Sequence, residues 1–116
     1  VIEQFGPAMV LVSVGVDAHD RDPLASMTLS SEGLVEQVER LRALAGRLCE
    51  RRLAMALEGG YDVDALAEVI TGIVARARGG QTTYRFTESH DTQGLGRRHV
   101  DAVIESVKPY WEPDRV

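Results

Sequence analysis

The sequence predicts an α/β fold built on parallel strands, and three observations carry that prediction. Two short apolar runs, Met9–Val14 and Leu53–Leu57, are each followed by glycine within two residues, as buried strands are where the chain must turn at once. The stretch between them and the stretch after them repeat apolar residues at intervals of three and four, the period of a helix with one buried face. Strand, helix, strand, helix in that order implies a right-handed crossover and a parallel sheet covered by helices.

Met9–Val14 is rich in β-branched residues and stops at Gly15, the pattern of a strand buried on both faces. Val1–Pro7 precede it as the tail of an earlier segment, with Gly6-Pro7 as punctuation. Beyond the strand, Ser30 or Ser31 can cap a helix whose first turn holds Glu32, a charge favourable at the positive end of the helix dipole. Leu34, Val38, Leu41, Ala45 and Leu48 form its apolar stripe, and the helix is expected to reach about Arg51. Glu36 with Arg40 and Glu39 with Arg42 decorate its solvated side, each pair adding ~0.3 kcal/mol.

Leu53–Leu57 has weak strand propensity because of Ala and Met, yet its length and its place after a helix make it the second parallel strand. Asp62 or Asp64 can cap the next helix, where Leu66, Ile70, Ile73, Val74 and Ala77 form the expected stripe before Gly79-Gly80 ends it. Residues 81–96 read as a polar excursion in which Tyr84 and Phe86 alternate around Arg85. A terminal helical segment, 97–111, carries Val100, Val103, Ile104 and Val107 on one face and is broken by Pro109.

A chain of 116 residues with 44% hydrophobic content is expected to form a single unit over residues 1–116, with its core in 5–80. A net charge of −5 argues against a nucleic-acid or anionic-membrane partner, since both reward clustered Lys and Arg. The single cysteine, Cys49, leaves no internal disulfide and fits a reducing, cytoplasmic setting. No apolar run is long enough to span a bilayer. The chain starts at Val1 rather than at a methionine, without the basic-then-apolar pattern of a signal peptide, and reads as if another segment precedes it.

Two constellations can carry chemistry, and both follow strands, at the edge where open α/β sheets bind ligands. The first contains Asp17-Ala18-His19 and Asp22-Pro23-Leu24. Asp and His are both metal-binding types, but residues two apart share a face only in an extended segment, and His19 reads in preference as a partner for a neighbouring Asp or backbone group. Asp20 and Asp22 read as loop-forming side chains that satisfy backbone amides. The second is Glu58-Gly59-Gly60-Tyr61. Paired glycines permit a close ligand approach, and a phenol with pKa near ~10 can donate to a developing oxyanion; a tyrosine packed at a strand exit is the competing reading.

Taken together, Val12-Ser13-Val14-Gly15-Val16-Asp17-Ala18-His19, Asp22-Pro23-Leu24 and Leu57-Glu58-Gly59-Gly60-Tyr61-Asp62 resemble the carboxyl-terminal half of the zinc-dependent histone deacetylase superfamily. The likeness is to its class II branch and to the acetylpolyamine and acetoin-utilisation relatives. It covers roughly Phe5–Gly80, with the tail at Tyr110-Trp111 also similar. It implies the carboxyl-terminal β-α-β-α(-α) part of a three-layer α/β/α parallel sheet of the arginase-deacetylase type. It further implies that Asp17 is a zinc ligand and that Tyr61 polarises the acyl carbonyl. Leu24 would line the acyl channel, with Gly59 and Gly60 as its wall.

The arginase-like ureohydrolases, on the same general fold, carry Asp-x-Asp where this chain has Gly15-Val16-Asp17. Loss of that first carboxylate favours one metal over two. The deacetylase pattern also includes an upstream Asp-x-His pair of zinc ligands and an earlier His-His general base, and neither is present here. His90 and His99 lack the required neighbours. The resemblance therefore implies part of an enzyme acting on an acetylated amine such as acetyl-lysine or an acetylpolyamine. The separate chain is expected to be inactive, to hold no zinc tightly, and to associate with itself or with a missing amino-terminal half. A non-enzymatic α/β binding module, or one half of a split enzyme, is the alternative.

Overall fold

The computed structural model describes residues 1–80 and 95–111. In order, its elements are α1 (Ile2–Phe5), β1 (Val10–Val14), α2 (Ser31–Leu48), β2 (Leu53–Leu57), α3 (Val63–Ala77) and α4 (Leu95–Val107). Of the described residues, 8–80 form one unit and 1–7 with 95–111 another. The expected polar excursion, with Tyr84, Phe86 and His90, lies outside the described residues apart from its last two positions.

Strands β1 and β2 pair in parallel, Val10 opposite Leu53 through Val14 opposite Leu57, as the strand-helix-strand order requires. The expectation that β1 is buried on both faces is corrected. Val10, Val12 and Val14 pack against the helices, whereas Leu11 is 75% exposed and Ser13 is exposed. Among the described residues α2 and α3 supply the apolar cover, and they reach only the face bearing Val10, Val12 and Val14. Period-two alternation then leaves Leu11 and Ser13 on the bare face.

Helix α2 starts where its cap predicts, with the Ser30 hydroxyl accepting from the Gly33 N–H at 3.2 Å. It ends three residues earlier than expected, at Leu48, because Glu50 and Arg51 turn to positive φ (52° and 65°) and reverse the chain into β2. Both expected ion pairs form on its surface, Glu36–Arg40 at 3.0 Å and Glu39–Arg42 at 2.9 Å. Helix α3 is capped by Asp62, whose side chain accepts from the Ala65 N–H at 2.7 Å.

Its buried face is also corrected. Ala65, Val69, Gly72 and Ile73 are buried while Val74 and Ala77 are exposed, so the stripe is rotated from the one expected. The small residues Ala65 and Gly72 are buried, and Leu66 and Ile70 lie at the margin of the core. The main core joins Val16, Leu34, Val35, Val38, Val69 and Ile73; a second cluster of Val10, Ala45 and Cys49 closes the other end of β1.

In the other unit, α1 forms a single turn where a plain tail was expected, and Gly6 ends it with φ 62°. Helix α4 begins two residues before Arg97 and gives way to a turn at Pro109. Of its predicted face, Ile104 and Val107 are half-buried, while Val100 and Val103 are exposed.

Candidate active site

The parallel ladder continues past both strands and so aligns the two loops that follow them. Glu58 N–H donates to the Val14 carbonyl at 3.0 Å and Val16 N–H donates to the Gly59 carbonyl at 2.9 Å. Val16 is almost completely buried in the main core and anchors its loop there. One residue later, Asp17 turns its carboxylate over the glycines of both loops. A methyl group built on Gly59 would stand 2.6 Å from Asp17 Oδ2, and one on Gly15 would stand 2.7 Å from Oδ1. Asp17 is half-buried, and among the described residues its carboxylate enters no hydrogen bond or ion pair.

Gly60 serves a different purpose from Gly59. Its φ of 134° is a conformation that side chains disfavour, and a Cβ there would lie 3.0 Å from that of Val16. The chain can therefore fold Tyr61 back beside the first loop. Tyr61 N–H donates to Asp22 Oδ2 at 2.8 Å, while Asp22 Oδ1 accepts from Leu24 N–H at 2.9 Å and from Ala25 N–H at 3.2 Å. One carboxylate thus ties the backbones of Leu24 and Tyr61 together. Their side chains remain open to solvent, Leu24 71% and Tyr61 58% exposed.

Burial of Asp22 acts to raise its pKa, but the backbone N–H groups of Tyr61, Leu24, Ala25 and Asp62 outweigh that and hold it below the ordinary carboxylate range. The expectation that Asp22 satisfies backbone amides is met, and its reach to Tyr61 goes beyond it. The signal for the Asx turn is local, in Asp-Pro-Leu; nothing in the sequence points to a partner 39 positions away. Arg21 likewise has a role that no sequence signal marks. Its guanidinium bonds Glu68 at 2.6 Å and lies 3.9 Å from Asp62, holding the first loop against α3.

His19 is buried, with both ring nitrogens engaged. Nε2 lies 2.9 Å from Ser31 Oγ; Nδ1 accepts from the Arg21 N–H at 3.1 Å and lies 2.8 Å from Asp20 Oδ1. The backbone adds a bridge between His19 and Leu29. His19 therefore holds the first loop to the start of α2, and a metal pair with Asp17 is not formed. Among the described residues no three His, Cys, Asp or Glu side chains gather as a metal shell.

A sequence model of the histone deacetylase domain matches residues 1–77. The chain belongs to that family. A probable deacetylase of Archaeoglobus fulgidus is 34% identical over 124 residues, spanning 97% of this chain and 34% of the relative. Type-2 histone deacetylase 1 of Dictyostelium discoideum is 43% identical over 67 residues, or 58% of this chain and 4% of that one. The polyamine deacetylase HDAC10 of Mus musculus is 34% identical over 108 residues, covering 93% of this chain and 16% of its own length.

Among solved structures, the HD domain of HDA15 superposes with a TM-score of 0.69 at 23% identity, covering 94% of this chain and 29% of that one. The fold is that of the arginase-deacetylase class, of which this deacetylase-family chain contains the parallel pair β1–β2 and its helices. The chain spans about a third of the length of the Archaeoglobus relative.

Proposed function

We propose that this chain is the carboxyl-terminal part of a zinc-dependent deacetylase domain that hydrolyses an acetylated amine, of the acetyl-lysine or acetylpolyamine type. Asp17 is its metal ligand, Tyr61 its oxyanion donor, and Leu24, Gly59 and Gly60 border the acyl group. The observation that carries this reading is the seating of an unbonded Asp17 carboxylate directly on Gly59, two residues from Tyr61.

The donor chemistry fits a share of a zinc shell: one carboxylate whose oxygens are not taken by backbone amides. A catalytic zinc needs about three protein ligands, so the separate chain is expected neither to hold the metal tightly nor to turn over substrate. When bound, zinc supplies a polarised carbonyl and an activated water. The Tyr61 hydroxyl can donate to the oxygen that gains charge. Gly59 and Gly60 leave room for the acyl group to approach backbone, and Leu24 offers it an apolar surface. The bare sheet face at Leu11 is expected to be covered by the remaining part of the domain or by a second copy. A cytoplasmic setting and a partner other than nucleic acid or membrane complete the proposal.

The test uses the protein encoded by the complete reading frame that contains this sequence. Zinc content is measured, and release of acetate is followed from an acetyl-lysine peptide and from an acetylated polyamine. Tyr61→Phe should lower kcat by about 10²- to 10³-fold, the scale for loss of one oxyanion donor, with zinc content retained. Absence of zinc-dependent acetate release, or an undiminished kcat in that variant, refutes the proposal.

A further inference from the structure

Tyr61 lacks side-chain restraint: more than half exposed, its phenol makes no hydrogen bond among the described residues. It follows Gly59-Gly60, and glycine loses more conformational freedom on ordering than any other residue. What orders the phenol must therefore act through the Tyr61 backbone. There the N–H meets Asp22, a residue 7% exposed whose other oxygen serves Leu24 and Ala25. On the far side, Asp62 caps α3 and fixes the chain leaving Tyr61.

We propose that Asp22 is the positioning residue for Tyr61: its two oxygens lock the loop that carries the phenol to the loop that carries Leu24, so that oxyanion donor and channel lining keep one separation. The inference rests on the reading of Tyr61 given above. It adds a residue that touches neither metal nor substrate. The chemistry demands a carboxylate, because each oxygen faces a different set of N–H donors. An asparagine has one acceptor oxygen, and its amide nitrogen would point hydrogens at the N–H groups on the other side. An asparagine oxygen sustains the local Asx turn at Leu24 and Ala25 as readily as an aspartate's, so Asp22→Asn must release Tyr61.

The test compares wild type, Asp22→Asn, Tyr61→Phe and the double variant in the complete protein. It reads zinc content, kcat and KM on an acetyl-lysine peptide, and amide hydrogen exchange over residues 58–66. Asp22→Asn should lower kcat by about 10- to 100-fold, the scale for a misplaced catalytic group. KM and zinc content should be little changed, and exchange at Tyr61 should be faster. On the Tyr61→Phe background it should lower kcat no further, since the hydroxyl it positions is gone.

A wild-type kcat in Asp22→Asn, loss of zinc, or an equal loss on both backgrounds overturns the proposal. Where Asp22→Asn does not fold, Asp22→Glu, which keeps both oxygens on a longer arm, is judged by the same criteria. A wild-type protein that releases no acetate refutes the deacetylase reading instead. Exchange at Tyr61 then decides separately whether Asp22 holds the loop, and an unaltered rate in the variant refutes that.

Discussion

Replacing Gly59 by alanine should weaken metal binding by moving Asp17. The backbone at Gly59 lies outside the left-handed region, so alanine is not strained there by φ. The cost is in space. The new methyl would stand 2.6 Å from Asp17 Oδ2 and 2.8 Å from Cγ, against 3.4 Å for the start of ordinary contact. To clear it, the carboxylate must retreat by about 0.8 Å, four times the ~0.2 Å by which a ligand distance can depart from its proper value. Asp17 is half-buried and short, so a rotation that clears the methyl also turns its oxygens away from their present direction. We expect zinc affinity of the complete protein, measured by competition with a chromogenic chelator, to fall at least 10- to 100-fold, the loss found when only a ligand's supporting contacts are removed. Thermal stability should fall by about 1–3 kcal/mol at most, as for a single overpacked methyl. A Gly59→Ala protein that holds zinc as tightly as wild type would show that Asp17 is not the ligand, or that it does not bind from its seat on Gly59.

Other consequences follow from the burial and charge of single residues. Asp22 has its folded-state pKa below the unfolded value of about 3.9, so its stabilising contribution is complete above that value and is lost as pH falls through the folded one. Urea midpoints measured between about pH 6 and pH 2 should therefore decline on the acid side, with a shallower decline in Asp22→Asn; equal acid limbs would contradict the assignment. Val69→Ala empties a fully buried position between α2 and α3 and should cost about 1.5–3 kcal/mol. Val74→Ala, at a half-exposed position, should stay within about 0.5 kcal/mol. The reverse order in denaturant melts would restore the stripe expected from the sequence.

The features legible in the sequence are those whose cause is local. Both strands, their parallel pairing, the caps at Ser30 and Asp62 and the surface pairs of α2 each depend on residues within a few positions of one another or on the order of elements. Helix α3 shows where this fails. A ranking by hydrophobicity selects Val74 and Ala77 for its stripe and passes over Ala65 and Gly72, yet the small residues are the buried ones. Helix α2 stops short of the end its pattern predicts because Glu50 and Arg51 take positive φ without the Gly or Asn that would announce it. At the site, strand order implies that Asp17 and Tyr61 stand at one sheet edge. The bond from Asp22 to Tyr61 depends on tertiary approach across two loops and has no sequence signal.

The three aspartates of Asp17-Ala18-His19-Asp20-Arg21-Asp22 differ little as a string and sharply by environment. Asp20 is exposed and stands beside the buried His19 ring. Asp22 accepts backbone N–H groups on both oxygens across two loops, so a cation would have to compete with them. Recruiting it to a metal would leave those amides without their acceptor, at a cost of about 1–3 kcal/mol for each buried donor. Asp17 carries no such obligation. The glycines beneath it offer no side chain to bond, and both would clash with the carboxylate if they carried one. A carboxylate held in place by the absence of neighbouring side chains keeps its oxygens available, which is what a metal ligand requires and a loop-forming aspartate cannot provide.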